Sequence, residues 1–573
     1  MQQVWLSRLV ALSARGAATA CLCLCTTAAS AWAALPPIFD RIPEDVWAAA
    51  ATPSLAQLDK HARDLLGAIE APGLSTPAQL LAVLGLGEGL DTNRPIAAAI
   101  TPPADEDADP GLLVYLPTTD PDALLAAYTP QDAGDGLKQL HFNGQSFYVR
   151  LLDNQYVLLA TDRARAAAAE QGHQAFHEGA VGAVGQEAAS RSDVFVVVEP
   201  AGLARVAAEA AKFFEGQAAM VGMMGAGDPQ QLQQQAAAVG KTVQSLAAQS
   251  AAAVVGFTAE SLGATLDIAL AFKPGTDAFT TLQARGDAHT LLTRLPDQPF
   301  LFAGAGDFSS DTVRDLFQRL SAVAGQGNEA GPFAEGLATG LAFAVYTTQG
   351  GLLTGLFANS LQYIASKEPA AAIESLRKSI EALGQANPPL FTGTFEENAA
   401  EVAGVKAHRW SMTMQPGAAG FGQQQQALGA LFGSMGLSGY VAALQDGALQ
   451  SIGPDTATLE KAIRLAKGDG ASLADNALVT GVSQKLPAPR TGEGFVNVGE
   501  LLKQALFVAA TFLGQVNVQI PPDLPPVGVA LQTDQGTARV TTFAPAPVIH
   551  TVTQLLQTLQ AMQGGGAGGG PPF

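Results

Sequence analysis

The fold is decided by residues 41–70, whose sequence is RIPEDVWAAAATPSLAQLDKHARDLLGAIE. After Arg41-Ile42-Pro43-Glu44 comes a short apolar run, Val46 to Ala51, which predicts a strand. Ser54 is of a residue type that caps helix N-termini. The apolar residues behind it recur at the spacing of one helix face: Leu55, Leu58, Ala62, Leu65, Leu66 and Ile69. The segment therefore predicts a strand followed by a capped amphipathic helix.

The same opening occurs three more times along the chain. Residues 294–320, RLPDQPFLFAGAGDFSSDTVRDLFQRL, predict a strand from Phe300 to Ala303 and a helix capped by Ser309 or Ser310. Lys485-Leu486-Pro487 leads into a third strand, Phe495 to Val498, and a helix from Glu500. A fourth copy without the proline, Asp193 to Val198, precedes a helical stretch from Ala201 to Phe214. Four strand-then-helix openings indicate four modules.

Hairpins repeat together with these openings. The strands Phe147 to Leu152 and Tyr156 to Ala160 flank a turn at Asp153-Asn154, and a helix is expected after Asp162. The strands Tyr440 to Leu444 and Ala448 to Ile452 flank a turn at Asp446-Gly447, with a helix after Asp455. A further strand pair around Gly263 has a counterpart around Gly536.

These repeats predict a duplicated α+β chain with mainly antiparallel sheets covered by helices. The two halves are residues 34–290 and 291–563, each made of two strand-helix-hairpin modules. The alternative is a chance resemblance among short apolar strands.

The N-terminus predicts export. Residues 1–33 contain Arg8 and Arg15, then an apolar run, and end in Ala31-Trp32-Ala33, which fits signal peptidase cleavage after Ala33. The run is shorter than the roughly 18 to 20 residues that span a bilayer, and lipidation at Cys21 is the weaker alternative. All three cysteines lie in this segment, so the mature chain is expected to lack disulfides, and no transmembrane span is predicted in it. The Gly/Pro tail, 564–573, is predicted to be disordered.

Composition narrows the function classes. The chain of 573 residues is 48% hydrophobic and 14% charged, which is enough apolar material for folded cores. Its formal net charge of −20 argues against nucleic-acid binding, which needs basic surface to neutralise phosphates.

Chemical motifs are weak throughout. His173-x3-His177 has metal-ligand spacing but follows a helix end, and Gly240-Lys241-Thr242 lacks the strand and glycine loop of a phosphate site. Gly85-x-Gly87-x-Gly89 is interpreted as a loop, as is Gly436-Leu437-Ser438-Gly439. Acidic residues read as helix caps and solvated loops: Asp105, Glu106, Asp107, Asp109, Asp120, Asp122, Glu396 and Glu397. No catalytic, cofactor or metal site is therefore predicted.

The Arg-Ile/Leu-Pro lead-in, the strand-then-helix openings and the Gln/Met/Gly-rich insertions at 216–240 and 415–439 resemble large exported bacterial proteins known only as domains of unknown function. The resemblance implies no activity, cofactor or site residue.

The function expected from the sequence is that of an exported, non-catalytic interaction or scaffold protein of the bacterial envelope or periplasm, whose partner is an envelope protein or an apolar ligand. One alternative is a carrier that holds an apolar ligand such as a lipid between curved sheets and helices; another is a hydrolase with an unrecognised site. A continuous apolar cavity of several hundred Å³ would favour the carrier.

Overall fold

The structure is a computed structural model that describes residues 35–71, 73–103, 109–142, 144–169, 181–223, 229–310, 314, 336–348, 355–383, 391–414, 436–453, 455–513 and 520–564. These residues form two compact units. The first contains the described residues of 35–207, 245–276 and 537–539, and the second contains those of 208–244, 277–536 and 540–564. The predicted signal peptide, His173, His177, Asp105 to Asp107, most of the Gln-rich segment 415–439 and the tail after 564 lie outside the described residues.

The first unit is built on a sheet in which every pairing is antiparallel, in the order β4-β5-β6-β7-β3-β2-β1-β8-β9-β10. Its strands are β1 (Ala48–Thr52), β2 (Ile96–Thr101), β3 (Gly111–Pro117), β4 (Gln131–Gly134), β5 (Leu137–Phe142), β6 (Gln145–Leu152), β7 (Tyr156–Ala160), β8 (Val194–Val198), β9 (Ser250–Glu260) and β10 (Gly263–Phe272).

The second unit repeats this order as β14-β15-β16-β17-β13-β12-β11-β18-β19, again with antiparallel pairings. Its strands are β11 (Phe300–Asp307), β12 (Gly340–Tyr346), β13 (Ser360–Ala365), β14 (Phe391–Val402), β15 (Val405–Met414), β16 (Leu437–Ala443), β17 (Gly447–Ile452), β18 (Gly492–Val496) and β19 (Val527–Asp534). The last strand, β20 (Thr537–Pro545), has its first three residues in the first unit and the rest in the second. The chain turns from β19 into β20 at Gln535 and Gly536, which both have positive φ.

The helices lie between the strands. Those numbered before β11 are α1 (Leu55–Ala68), α2 (Pro77–Val83), α3 (Pro121–Leu125), α4 (Arg163–Ala168), α5 (Gly182–Arg191), α6 (Pro200–Met223), α7 (Pro229–Gln249) and α8 (Asp277–Thr281). Those after it are α9 (Pro369–Leu383), α10 (Ala457–Ala466), α11 (Ala477–Ser483), α12 (Val498–Leu513) and α13 (Ala546–Gly564). The predicted α+β class with antiparallel sheets and covering helices is confirmed. Among the described residues, no helix is both long enough and apolar enough to cross a bilayer.

Three predicted caps form as expected, whereas the helix predicted after Ser309 or Ser310 lies almost wholly outside the described residues. The Ser54 side chain accepts a hydrogen bond from the Gln57 amide at the start of α1. Asp120 accepts from the Asp122 and Ala123 amides at the start of α3, and Asp162 accepts from two amides of α4. Each satisfies amides that have no partner inside the helix.

Equivalent elements occur in the two units. Strands β1 and β11 occupy the same place in their sheets, and so do the hairpins β6–β7 and β16–β17. Backbone hydrogen bonds repeat residue for residue, because Asp193 N donates to Phe257 O at 2.9 Å and Thr491 N donates to Leu531 O at 2.8 Å. Thr491 is therefore the counterpart of Asp193.

The pairing of strands in the first module differs from the prediction. Strand β1 pairs with β2, and β2 with β3, so the hairpin that closes this module is β2–β3 rather than β6–β7. The hairpin β6–β7 instead joins the sheet through β7 and β3. The connection 102–110 between β2 and β3 is much longer than a two-residue turn, so it gives no hairpin signal in the sequence.

The recurring arginine of the lead-in has a structural role in both units. Arg41 pairs with Asp153 at 2.5 Å, and Arg294 pairs with Asp446. Both aspartates lie in the turn of the equivalent hairpin. The lead-in signature and the hairpin turn therefore recur together because their side chains form the same ion pair.

Candidate functional site

A groove of about 610 Å³ opens on the first unit. It is bordered by the start of α1, by α2 and the loop behind it, and by α3 with the short 3-10 turn Ala126–Tyr128. Its twelve lining residues are mostly small or apolar, with Glu88 and Thr92 as the polar ones. The others are Leu55, Ala78, Leu81, Ala82, Gly85, Gly87, Leu90, Ala123, Ala126 and Ala127. The volume lies within the range of about 300–1,000 Å³ typical of small-molecule sites.

Helix α2 presents one face to the groove. Ala78, Leu81 and Ala82 line it at the i, i+3, i+4 spacing of neighbouring positions on a helix. Leu80 and Val83 fall outside the lining and are 42% and 79% exposed. The helix begins at a capping box in which the Gln79 side chain accepts from the Thr76 amide at 2.9 Å. The face toward the groove is therefore set by a well-defined helix start.

The floor of the groove is continuous with the core. Leu55 is 2% exposed and belongs to a buried cluster with Leu58 and Val194. Leu90 packs against that cluster and also against the one that contains Leu124. The groove thus lies over two apolar clusters, and its small side chains leave the space between them open.

The glycine triplet of this loop is structural. Gly89 has φ +73°, and a Cβ there would lie 2.2 Å from the carbonyl oxygen of Asp120. Thr118 Oγ1 donates to the Gly89 carbonyl at 2.7 Å. The loop is thereby held against the start of α3, and its glycines permit that close approach. Gly85, Gly87 and Gly89 lie in a loop between α2 and β2, as predicted.

Two buried carboxyl groups flank β8. Asp193 is 2% exposed, its Oδ2 accepts from the Ala259 amide at 3.2 Å, and burial raises its pKa to about 9. Glu199 is 5% exposed, and burial raises its pKa to about 7. Because a strand rises about 3.3 Å per residue, the two groups are roughly 20 Å apart. They do not belong to one cleft.

A charged cluster is buried in the second unit. Glu493 on β18 has a fully buried side chain that contacts Arg490 Nη1 at 2.7 Å and His289 Nδ1 at 2.8 Å. The Arg490 guanidinium also donates to the hydroxyl oxygen and to the backbone carbonyl of Ser483, each at 3.0 Å. The His289 side chain remains 39% exposed. The carboxylate orients the imidazole and the guanidinium in one network.

The glycine loop and Asp120 meet at the start of α3, whereas the other described candidates lie in separate elements. Lys241 and Thr242 lie within α7, and Glu396 with Glu397 lies on β14. Ser438 lies in β16, where a loop was expected, because it pairs with Ser411 of β15. This pairing extends β16 beyond the residues that pair with β17. In the described part of the chain, no group of three or more His, Cys, Asp or Glu residues is placed to hold a metal ion.

Sequence reasoning missed the groove and the buried cluster. The groove depends on alanines at lining positions of α2 and α3, which in the sequence look like ordinary helix formers. Glu493 lies before the predicted strand 495–498, but in the structure β18 begins at Gly492, and Glu493 shares its buried face with Phe495. A buried acid of this kind requires cationic or donor partners elsewhere in the chain.

No protein-family model and no curated protein matches the chain. Among solved structures it is similar to one titled "Structure of crystal form I of TP0453", with 9% sequence identity and a TM-score of 0.21. The similarity covers 43% of this chain and 82% of the other. A TM-score of this size does not imply a shared fold.

Proposed function

We propose that the first unit binds an apolar ligand, such as a single alkyl chain, in the groove beside α2, and that the protein does so after export to the bacterial envelope. The groove carries the proposal. Ten of its twelve lining residues are Ala, Gly or Leu, and its floor joins two buried apolar clusters. An alkyl chain would cover apolar surface that is otherwise wet, which is favourable by about 25 cal/mol per Å².

The test fills the groove with one side chain. Ala82 is exposed at the groove, so Ala82→Trp occupies the space without disturbing the core. The matched control is Val83→Trp, on the same helix but outside the lining. Binding is followed with the neutral fluorescent probe N-phenyl-1-naphthylamine and its displacement by dodecanol.

We expect saturable probe binding to the wild type and to Val83→Trp, and affinity at least about tenfold weaker in Ala82→Trp, a change of roughly 1.4 kcal/mol. Absence of saturable binding to the wild type contradicts the proposal. Equal affinity in the two tryptophan variants contradicts the placement of the ligand in this groove.

A second candidate is contact with an envelope protein, and one observation favours it. Leu74, Leu80 and Val83 are 59%, 42% and 79% exposed within a stretch of ten residues. Neighbouring exposed apolar side chains are typical of interaction surfaces. Leu80→Glu combined with Val83→Glu should then abolish the retention of a specific partner from envelope extract, whereas Ala82→Trp should not.

A further inference from the structure

We infer that the groove prefers an amphiphile with a cationic amine head over one with a carboxylate head on the same alkyl chain. This inference rests on the proposed function and adds the class of ligand. Its basis is the charge at the groove, where Glu88 is the one ionisable residue of the lining. Lysine, arginine and histidine are absent from that lining.

The cations nearest in sequence already have acidic partners. Arg63 pairs with Asp59 at 2.8 Å, and Arg94 pairs with Asp91 at 3.3 Å. The Asp59 carboxylate also accepts from the Ala78 amide at 3.1 Å, so it fixes the start of α2 as well. These arginines serve the scaffold and offer little to an anionic head group.

Glu88 is differently placed. It is exposed at the groove and takes part in none of the ion pairs found among the described residues. An alkyl chain lying on Leu55 and Leu90 places its head group among the polar lining residues, which are Glu88 and Thr92. An ammonium there gains a partner, whereas a carboxylate meets a like charge without compensation.

The size of the preference follows from exposure. The interaction energy of a solvent-exposed charge pair is modest. Attraction of the amine and repulsion of the carboxylate should therefore make the amine bind about five- to tenfold more tightly than the carboxylate at low salt. The ratio should shrink as the ionic strength rises, since exposed charges are screened.

The experiment compares dodecylamine, dodecanol and dodecanoate, each below its micelle concentration, as competitors of N-phenyl-1-naphthylamine at pH 7 and low salt. The proteins are the full chain as wild type, Glu88→Gln and Glu88→Lys, with Glu44→Gln as a control that removes the same charge from an exposed site outside the groove lining. We expect the order amine, alcohol, carboxylate for the wild type and for Glu44→Gln, near equality for Glu88→Gln, and a reversed order for Glu88→Lys.

Equal or tighter binding of dodecanoate to the wild type overturns the inference but leaves the proposed function intact. The same holds if Glu44→Gln and Glu88→Gln change the order equally, because the preference then reflects overall charge. Failure of all three compounds to displace the probe contradicts the proposed function itself.

Discussion

The same position of the two sheets is filled in opposite ways. In the first unit, Phe195 on β8 pairs with Ala51 and stacks on Phe39, with ring centroids 5.5 Å apart. In the second unit, the counterpart on β18 is Glu493, which pairs with Ala305 and contacts Arg490 and His289. Phe39 and His289 lie in the equivalent 3-10 lead-in segments Pro37–Arg41 and Ala288–Arg294.

The difference shows which features determine this topology. The pairing order is the same in both units, and so is the buried face of β8 and β18, although one core position is aromatic and the other ionic. A charge is tolerated there because its partners changed with it, since Arg490 stands where the first unit has Ser192. A buried charge is stable only when it is paired and hydrogen-bonded.

The largest effect is expected when the acid of the second unit is placed into the first. Phe195→Glu removes the stack on Phe39 and buries a carboxylate in a unit that has Ser192 at the position of Arg490. We expect the free energy of unfolding of the first unit to fall by at least about 4–5 kcal/mol. Hydrogen exchange of peptides from β8 and β9 measures the loss, and Phe195→Leu is the control that stays apolar. Wild-type protection in Phe195→Glu would show that the site admits water.

The converse change tests the second unit. Glu493→Ala leaves Arg490 buried without its carboxylate, and we expect a loss of about 3–5 kcal/mol in chemical denaturation. The double variant Arg490→Ser with Glu493→Phe introduces the two residue types that the first unit has at these positions. It should recover most of that loss, because an apolar replacement of a buried ion pair is often neutral. A double variant no more stable than Glu493→Ala would show that the two units differ in more than these side chains.

Much of the fold could be predicted from the sequence because its signals are local. The strand-then-helix openings and the turns at Asp153-Asn154 and Asp446-Gly447 each depend on a few adjacent residues. The hairpin β2–β3 could not be predicted in this way. Its strands are joined by the long segment 102–110, and their pairing depends on tertiary contacts.

The candidate sites could not be predicted from the sequence, because their residues come together only in the tertiary structure. The groove arises where Ala82, Ala123 and Ala127 from separate elements face one another, and a single helix gives no sign of what it faces. The cluster of Glu493 joins side chains more than two hundred positions apart in the chain. Motif spacing reports only nearby residues, so neither site appears as a motif.

The comparison reverses two residues earlier, immediately before β8 and β18. There the first unit holds the acid Asp193, whereas the second holds Thr491, whose hydroxyl contacts that of Thr533 at 2.7 Å. Burial raises the pKa of Asp193 from 3.8 to about 9, so the folded chain keeps a proton that the unfolded chain releases. Stability from this group is therefore present below about pH 4 and is lost as the pH rises from about 4 to 9.

Asp193→Asn should remove that dependence. The amide oxygen can still accept from the Ala259 amide, and no charge needs to be suppressed. We expect the variant to be more stable than the wild type at pH 8, and the difference to widen from pH 5 to 9 by at most about 1.4 kcal/mol per pH unit. Thermal unfolding from pH 5 to 9 measures this, with Asp64→Asn at an exposed position of α1 as the control. Parallel pH profiles of wild type and Asp193→Asn would contradict the assignment.

The smallest effect is expected where the two units agree. Arg41 and Arg294 form the same ion pair with the hairpin turn, and their side chains are 33% and 32% exposed. Because such half-exposed pairs are screened, Arg41→Ala and Arg294→Ala should each cost about 0.2–1 kcal/mol. Each loss should shrink in 1 M salt, where the Debye length is about 3 Å. Each arginine also lies over a tyrosine ring, Tyr156 in the first unit and Tyr363 in the second, so we expect part of each loss to remain at high salt from the lost contact with the ring. Unequal losses in the two variants would show that the repeated signature has come to serve the halves differently.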